Sequence, residues 1–248
     1  MAELSGDAFV KALRSETVTL FVGPMAEPLT VSKALLCHKS DTFAKLLSKP
    51  GLTHLQLPGI GVPVGKIFVC WCYQERLQGI KAQPTLPERK EWKRLLIDLW
   101  LLGDVYDIPR LQNQVMKQLT GLFVTPSLMA KADIEYLWAR EPTGEELKDL
   151  LVCTLVATLE SANAVKTVAD YEDLAVLPKF TAKLYTALKL WTEFAVPAKN
   201  KKNKWAALLQ SEDLQKALRV TETKRKAPPQ AAKALPKPFA PGEIIEID

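Results

Sequence analysis

The sequence predicts an α+β fold, and three observations carry that prediction. Residues 17–22, TVTLFV, are β-branched and apolar and read as a strand. Two further short segments, Leu29–Val31 and His54–Leu57, read as strands as well, giving a small three-stranded sheet. From Val62 onward the apolar residues recur at the three- and four-residue spacing of amphipathic helices. The chain accordingly divides into a helical arm (1–14), a domain with a three-stranded sheet flanked by a helix cluster (15–123), an all-helical extension (124–219) and a disordered tail (220–248).

Each element has its own signal. Gly23-Pro24 ends the first strand, and Leu29–Val31 returns after Pro28, so the two form a hairpin. Lys33–Leu36 begins a short helix. Ser40 is placed to cap a second, Asp41 to Leu47, by accepting from a first-turn N–H that has no other partner. Pro50-Gly51 is a turn before the third strand. The helix from Val62 to Gln74 carries Val64, Ile67, Phe68, Trp71 and Cys72 on one stripe. Residues 78–90 read as a polar loop with two prolines. A helix over Glu91–Tyr106 comes next, with Trp92, Leu95, Leu96, Leu99, Leu102 and Tyr106 inward and Trp100 on the side away from Trp92. Pro109 opens the next helix, where its missing N–H costs nothing, and Gly121 with Thr125-Pro126 punctuates its end. Beyond Pro126 the periodicity predicts helices over Ser127–Trp138, Glu145–Glu160, Ala164–Phe194 with a break at Pro178, and Trp205–Leu218. Five prolines in 228–248 and the loss of apolar periodicity mark the tail as disordered.

Charge is unevenly spread. Residues 1–197 hold 22 basic and 22 acidic side chains, whereas 198–227 hold nine Lys/Arg against three acids. Most of the chain is therefore unsuited to a polyanion, and only the basic stretch, with Lys201, Lys202, Lys204, Lys224, Arg225 and Lys226, offers a nuclear-localisation patch or nucleic-acid contact. The first residues lack the charged and long apolar regions of a signal peptide, and no stretch has the ~18 consecutive apolar residues of a membrane span. Cys37, Cys70, Cys72 and Cys153 are expected as reduced thiols in the cytosol or nucleus.

Residue patterns for catalysis or cofactors are missing from the sequence. Cys70 and Cys72 are two apart on a helix and point about 200° apart, so they cannot share a metal. His38 directly succeeds Cys37, and neighbours on a helix do not face each other. Gly65-Lys66 is succeeded by Ile67, so the hydroxyl that a phosphate loop supplies to magnesium is lacking, and the glycines at 59, 61 and 65 read as a turn into the helix. No nucleophile elbow or paired carboxylates stand out. The expectation is a non-enzymatic chain with no cofactor and no metal.

The segment LTVSKALLCHKSDTF (29–43), the run FVCWCY (68–73) and LIDLWLLGDVYDIPRLQNQVMKQL (96–119) occur in an order and at spacings that resemble the BTB/POZ family. Ser32 stands where that family usually has histidine, and Gly103 takes its alanine-type position. Residues 133–152 are similar to the segment directly after the domain in many fungal BTB proteins. The resemblance covers 15–123 and, more loosely, 126–155. It implies a protein-interaction adaptor, nuclear or cytoplasmic, that forms homodimers and serves either as a substrate adaptor of a cullin-type ubiquitin ligase or as a transcriptional or structural adaptor. The alternative is a nuclear nucleic-acid-associated or transcriptional cofactor using the basic stretch.

Three places are candidates for binding. Phe9, Val10 and Leu13 share one side of Asp7–Arg14; the segment either packs across a two-fold homodimer, as the resemblance implies, or packs on its own domain. The aromatic set Trp92, Trp100, Tyr106, Trp138, Trp191 and Trp205 is expected to pack in the core or between domains. In the tail, Ile244, Ile245 and Ile247 lie among acids, a pattern similar to a SUMO-interacting motif, which adds a strand to a partner's sheet; the alternative is a strand that docks on its own chain or has no partner.

Overall fold

A computed structural model of the chain describes residues 6–79, 84–125, 128–140, 145–160, 168–194 and 204–220. Helix α1 (Gly6–Leu13) leads into β1 (Thr17–Val22), β2 (Glu27–Ser32), α2 (Lys33–Lys39), α3 (Asp41–Leu47) and β3 (His54–Leu57). Helices α4 (Val62–Gln74), α5 (Leu86–Val105), α6 (Pro109–Phe123), α7 (Lys131–Trp138) and α8 (Glu145–Leu159) come after the sheet. A 3-10 segment (Val168–Val176) precedes α9 (Phe180–Glu193), α10 (Lys204–Leu209) and α11 (Glu212–Ala217). The architecture is α+β, with one three-stranded sheet and many helices.

The sheet has the order β2-β1-β3. Its central strand alternates as a half-buried strand must: Val18, Leu20 and Val22 are buried, while Thr17, Thr19 and Phe21 face away from the core. The strand β1 pairs antiparallel with β2, from Thr17↔Ser32 to Val22↔Glu27, and parallel with β3, from Thr19↔His54 to Val22↔Leu57. The return strand starts at Glu27 rather than Leu29. Pro28 does not stop it, because an edge strand tolerates a residue without an N–H. Gly65 lets α4 lie directly on this sheet: a Cβ there would come within 2.9 Å of both Leu29 and Val22.

Two serines start the short helices. The Ser32 hydroxyl accepts from Leu35 N and the Ser40 hydroxyl from Phe43 N. Ser40 Oγ also donates to the Tyr106 carbonyl, tying α3 to the end of α5. Over this junction Phe43 stacks on Tyr106 at 4.4 Å and on Phe68 at 6.0 Å, and Phe68 stacks on Trp71 at 6.3 Å.

Helix α5 differs from its expected form in two ways. It begins at Leu86, five residues before Glu91, because Thr85 and Glu88 form a reciprocal capping box and Pro87 is harmless in a first turn. It is also not one-sided. Residues 99–104 are all buried, and six successive residues at 100° steps cover the whole circumference. Trp100 is fully buried, whereas Trp92 and Leu95, expected inward, are only half-buried. Gly103 allows α6 to approach, since a Cβ there would lie 2.8 Å from Gln112 Cγ.

Helix α6 runs through Gly121 to Phe123. Helix α7 starts at Lys131, not Ser127, with the Asp133 carboxylate accepting from Ala130 N at its first turn. Where the periodicity predicts a helix from Ala164, Val168–Val176 is a 3-10 segment, and 164–167 lie outside the described residues. The expected helix Trp205–Leu218 is two helices, because the Ser211 hydroxyl caps a new start by accepting from Leu214 N. The expected disordered tail, apart from Val220, lies outside the described residues.

Front and rear share one contiguous hydrophobic core from Val18 to Val220. Polar ties cross it. Lys93, on α5, is buried and donates to the Leu128 carbonyl at 2.9 Å and to the Asp133 carboxylate. Trp205 Nε1 donates to the Phe123 carbonyl, and Trp138 Nε1 to that of Pro178. The aromatic set expected in the core contributes buried Trp100, Tyr106, Trp138 and Trp205.

A buried ammonium without its counter-charge is costly. Asp133→Ala is expected to destabilise the chain by about 3–5 kcal/mol in urea denaturation. Replacing the pair together, Lys93→Met with Asp133→Leu, is expected to recover most of that loss.

Candidate interaction surface

Helix α1 is held by a hydroxyl hub. Ser32 Oγ donates to the Ala12 carbonyl at 2.7 Å, shares a 2.9 Å hydrogen bond with Ser15 Oγ, and accepts from Leu35 N. Ser32 N donates to Tyr73 Oη at 3.1 Å, and Ala34 N to Ser15 Oγ at 3.3 Å. The residue that caps α2 therefore also anchors the helix preceding the sheet.

That anchorage buries Ala12 and turns other apolar side chains outward. Val10 is 47% and Leu13 44% exposed, and Phe9 is half-buried. The three residues read from the sequence as one side of α1 thus form an apolar face that the chain itself covers only in part. Such a face on an anchored helix suits contact with another polypeptide.

The remaining sequence candidates fall elsewhere. Lys204 opens α10 with its Nζ 4.7 Å from the Trp191 ring, a cation–π contact. Lys201, Lys202, Lys224, Arg225, Lys226, Ile244, Ile245 and Ile247 lie outside the described residues. His38, half-buried on α2, and His54, exposed on β3, occupy separate elements. Cys70 is exposed and Cys72 buried, on opposite sides of α4 as their spacing requires. Burial pushes the Cys72 thiol far up, and pushes the Cys153 thiol up to about 12. Among the described residues no group of three or more His, Cys, Asp or Glu is placed to hold a metal ion.

The ionisable groups that do meet act as ties. Glu75, in left-handed conformation at the end of α4, accepts from buried Lys39 and from Arg110. Burial alone would raise its carboxyl, but Lys39 and Arg110 outweigh that and hold it below the usual range. Gln114 completes the joint: its Oε1 accepts from Trp71 Nε1 and Leu77 N, and its Nε2 donates to the Glu75 carbonyl. In the rear, Lys183 bridges Glu145 at 2.9 Å and Asp149 at 2.5 Å. Burial lifts the Asp149 carboxyl despite Lys183. These networks are not visible in the sequence, since the partners they join stand 34 to 43 residues apart.

Searches of protein-family models and of curated proteins find no match to this chain. No helix among the described residues is long and apolar enough to cross a membrane.

Removing the hub tests how α1 is held. Ser32→Ala is expected to cost about 1–2 kcal/mol, the scale of a lost helix cap. Amide exchange over Ala12–Ser15 is expected to speed up more than exchange in α5, whereas a uniform change would place the effect elsewhere.

Proposed function

We propose that the chain is a non-enzymatic adaptor that self-associates through a BTB/POZ-like domain, with the apolar face of α1 at the two-fold interface. The observation that carries this reading is the exposure of Val10 and Leu13 on a helix fixed by Ser32. An antiparallel hairpin, two short serine-capped helices, a parallel third strand and then longer helices also support it, in the order expected from the resemblance. A second copy presents the same face, so one two-fold contact covers Val10 and Leu13 of both copies. Both side chains are already about half covered, so covering the rest contributes about half of the ~1.5–3 kcal/mol of full burial each, and the two anchor a larger contact.

In this reading the chemistry is recognition. The ion networks at Glu75 and Lys183 position helices, and the helices behind the sheet offer the surface for a heterologous partner. A cullin-type ubiquitin-ligase scaffold is the partner class that the resemblance implies, with SUMO contacting the segment around Ile244, Ile245 and Ile247.

Sedimentation velocity on the full chain at tens of micromolar is expected to give a dimer. Val10→Asp with Leu13→Asp puts unpaired charge into the apolar contact and is expected to give a monomer with an unchanged circular dichroism spectrum. A monomeric parent chain, or a dimer indifferent to both aspartates, would contradict the proposal.

A further inference from the structure

Behind the sheet, a groove of about 860 Å³ runs between α6 and the pair α10–α11. We propose that this groove receives residues 243–248 of the same chain, Glu-Ile-Ile-Glu-Ile-Asp, in an intramolecular contact that withholds this segment from other proteins.

The lining has two parts. Val124, 48% exposed, supplies apolar surface, with the nearly buried Met116 and Leu209 beneath it. Gly121 adds depth, since a Cβ built there would meet nothing within 4 Å. Around this floor stand Lys117, Lys216 and Arg219, against a single carboxylate, Glu212. None of the three cations is ion-paired with a described residue. An apolar floor with an excess of positive charge fits an apolar segment that carries acids. Residues 243–248 supply three isoleucines and three carboxylates in six positions. The balance of the front four-fifths and the cationic excess of 198–227 make this the one acidic-apolar stretch in the otherwise basic end of the chain.

The path of the backbone favours an internal occupant. Asn113 lines the groove and grips Val220 by two hydrogen bonds, Nδ2 to the Val220 carbonyl at 3.0 Å and Val220 N to Oδ1 at 2.9 Å. The chain is therefore handed on from the groove's own wall. The 22 residues 221–242 separate this clamp from Glu243. Even at the roughly 3.1 Å per residue of a Pro-rich linker, a tether of that length reaches well beyond the groove, so the segment can return to the wall that Val220 leaves. Tethering at such a length gives an effective concentration on the millimolar scale, so a segment of modest affinity stays seated.

The test uses full chains and a fluorescein-labelled peptide of residues 241–248, monitored by fluorescence anisotropy. A chain carrying Ile244→Ser, Ile245→Ser and Ile247→Ser has an unoccupied groove and is expected to bind the peptide roughly tenfold or more tightly than the parent, whose own segment competes. Adding Lys117→Glu and Arg219→Glu to that chain is expected to remove the binding. So is adding Gly121→Met, which fills the groove while replacing a helical glycine with a better helix former. Both groove variants are checked for a thermal midpoint no lower than that of the triple-serine chain. Equal binding by the parent and the triple-serine chain, binding that survives both groove changes, or no binding to any chain would overturn the proposal.

Discussion

A helix buried around its whole circumference imposes its surroundings. From Leu99 to Asp104 no side of α5 reaches solvent, so every neighbouring element must supply a complementary surface. Gly103 makes room for Gln112 on α6, and Gln112 Nε2 donates to Asp104, a polar group that burial would otherwise penalise. Lys93, one turn after the first half-buried residues, cannot be left uncompensated and finds Asp133 and the Leu128 carbonyl on the rear side. At the other end, the Tyr106 carbonyl accepts from Ser40, and the Tyr106 ring stacks on Phe43. Helices α3 and α4 in front and α6 and α7 behind thus all meet one element, and α4 in turn lies on the sheet. The continuous core results from that arrangement.

Local chemistry is legible in the sequence where it is decided locally. The β-branched run at 17–22, the Ser40 cap and Pro109 at a first turn each specify an element within a few residues, and each stands where the sequence places it. The start of α5 is hidden because Pro84 and Pro87 suggest a loop, although Thr85 and Glu88 are the readable capping signal. Apolar spacing carries past Ser211 as if one helix continued, while the cap at Ser211 with Glu212 and Asp213 behind it marks a second start. Pairing across distance is the part that cannot be read. Lys93 resembles any surface lysine until Asp133, 40 residues later, is seen beside it. The same holds for Trp100, whose burial depends on which helices come to lie around α5.

The candidate surface shows the same division. The amphipathic character of α1 is visible in Phe9, Val10 and Leu13, but the way it is anchored is not. The small Ser32 hydroxyl meets Ala12, Ser15 and Leu35 together. A bulkier side chain would have to displace these contacts. The small size of Ser32 therefore bears directly on how α1 presents its apolar face. The groove beside α6 lies on the rear side, where Asn113 and Val220 fix the last described residues. A core that joins front and rear keeps both surfaces in a constant relation.

That joining role of α5 is most directly tested by urea denaturation of the full chain monitored with two probes at once. Tryptophan fluorescence reports on Trp71 and Trp100 in front together with Trp138 and Trp205 behind, and far-ultraviolet circular dichroism reports on the helices. A shared core predicts a single transition with coincident midpoints for both probes. Two separated transitions, one for the sheet-bearing part and one for the rear helices, would contradict it.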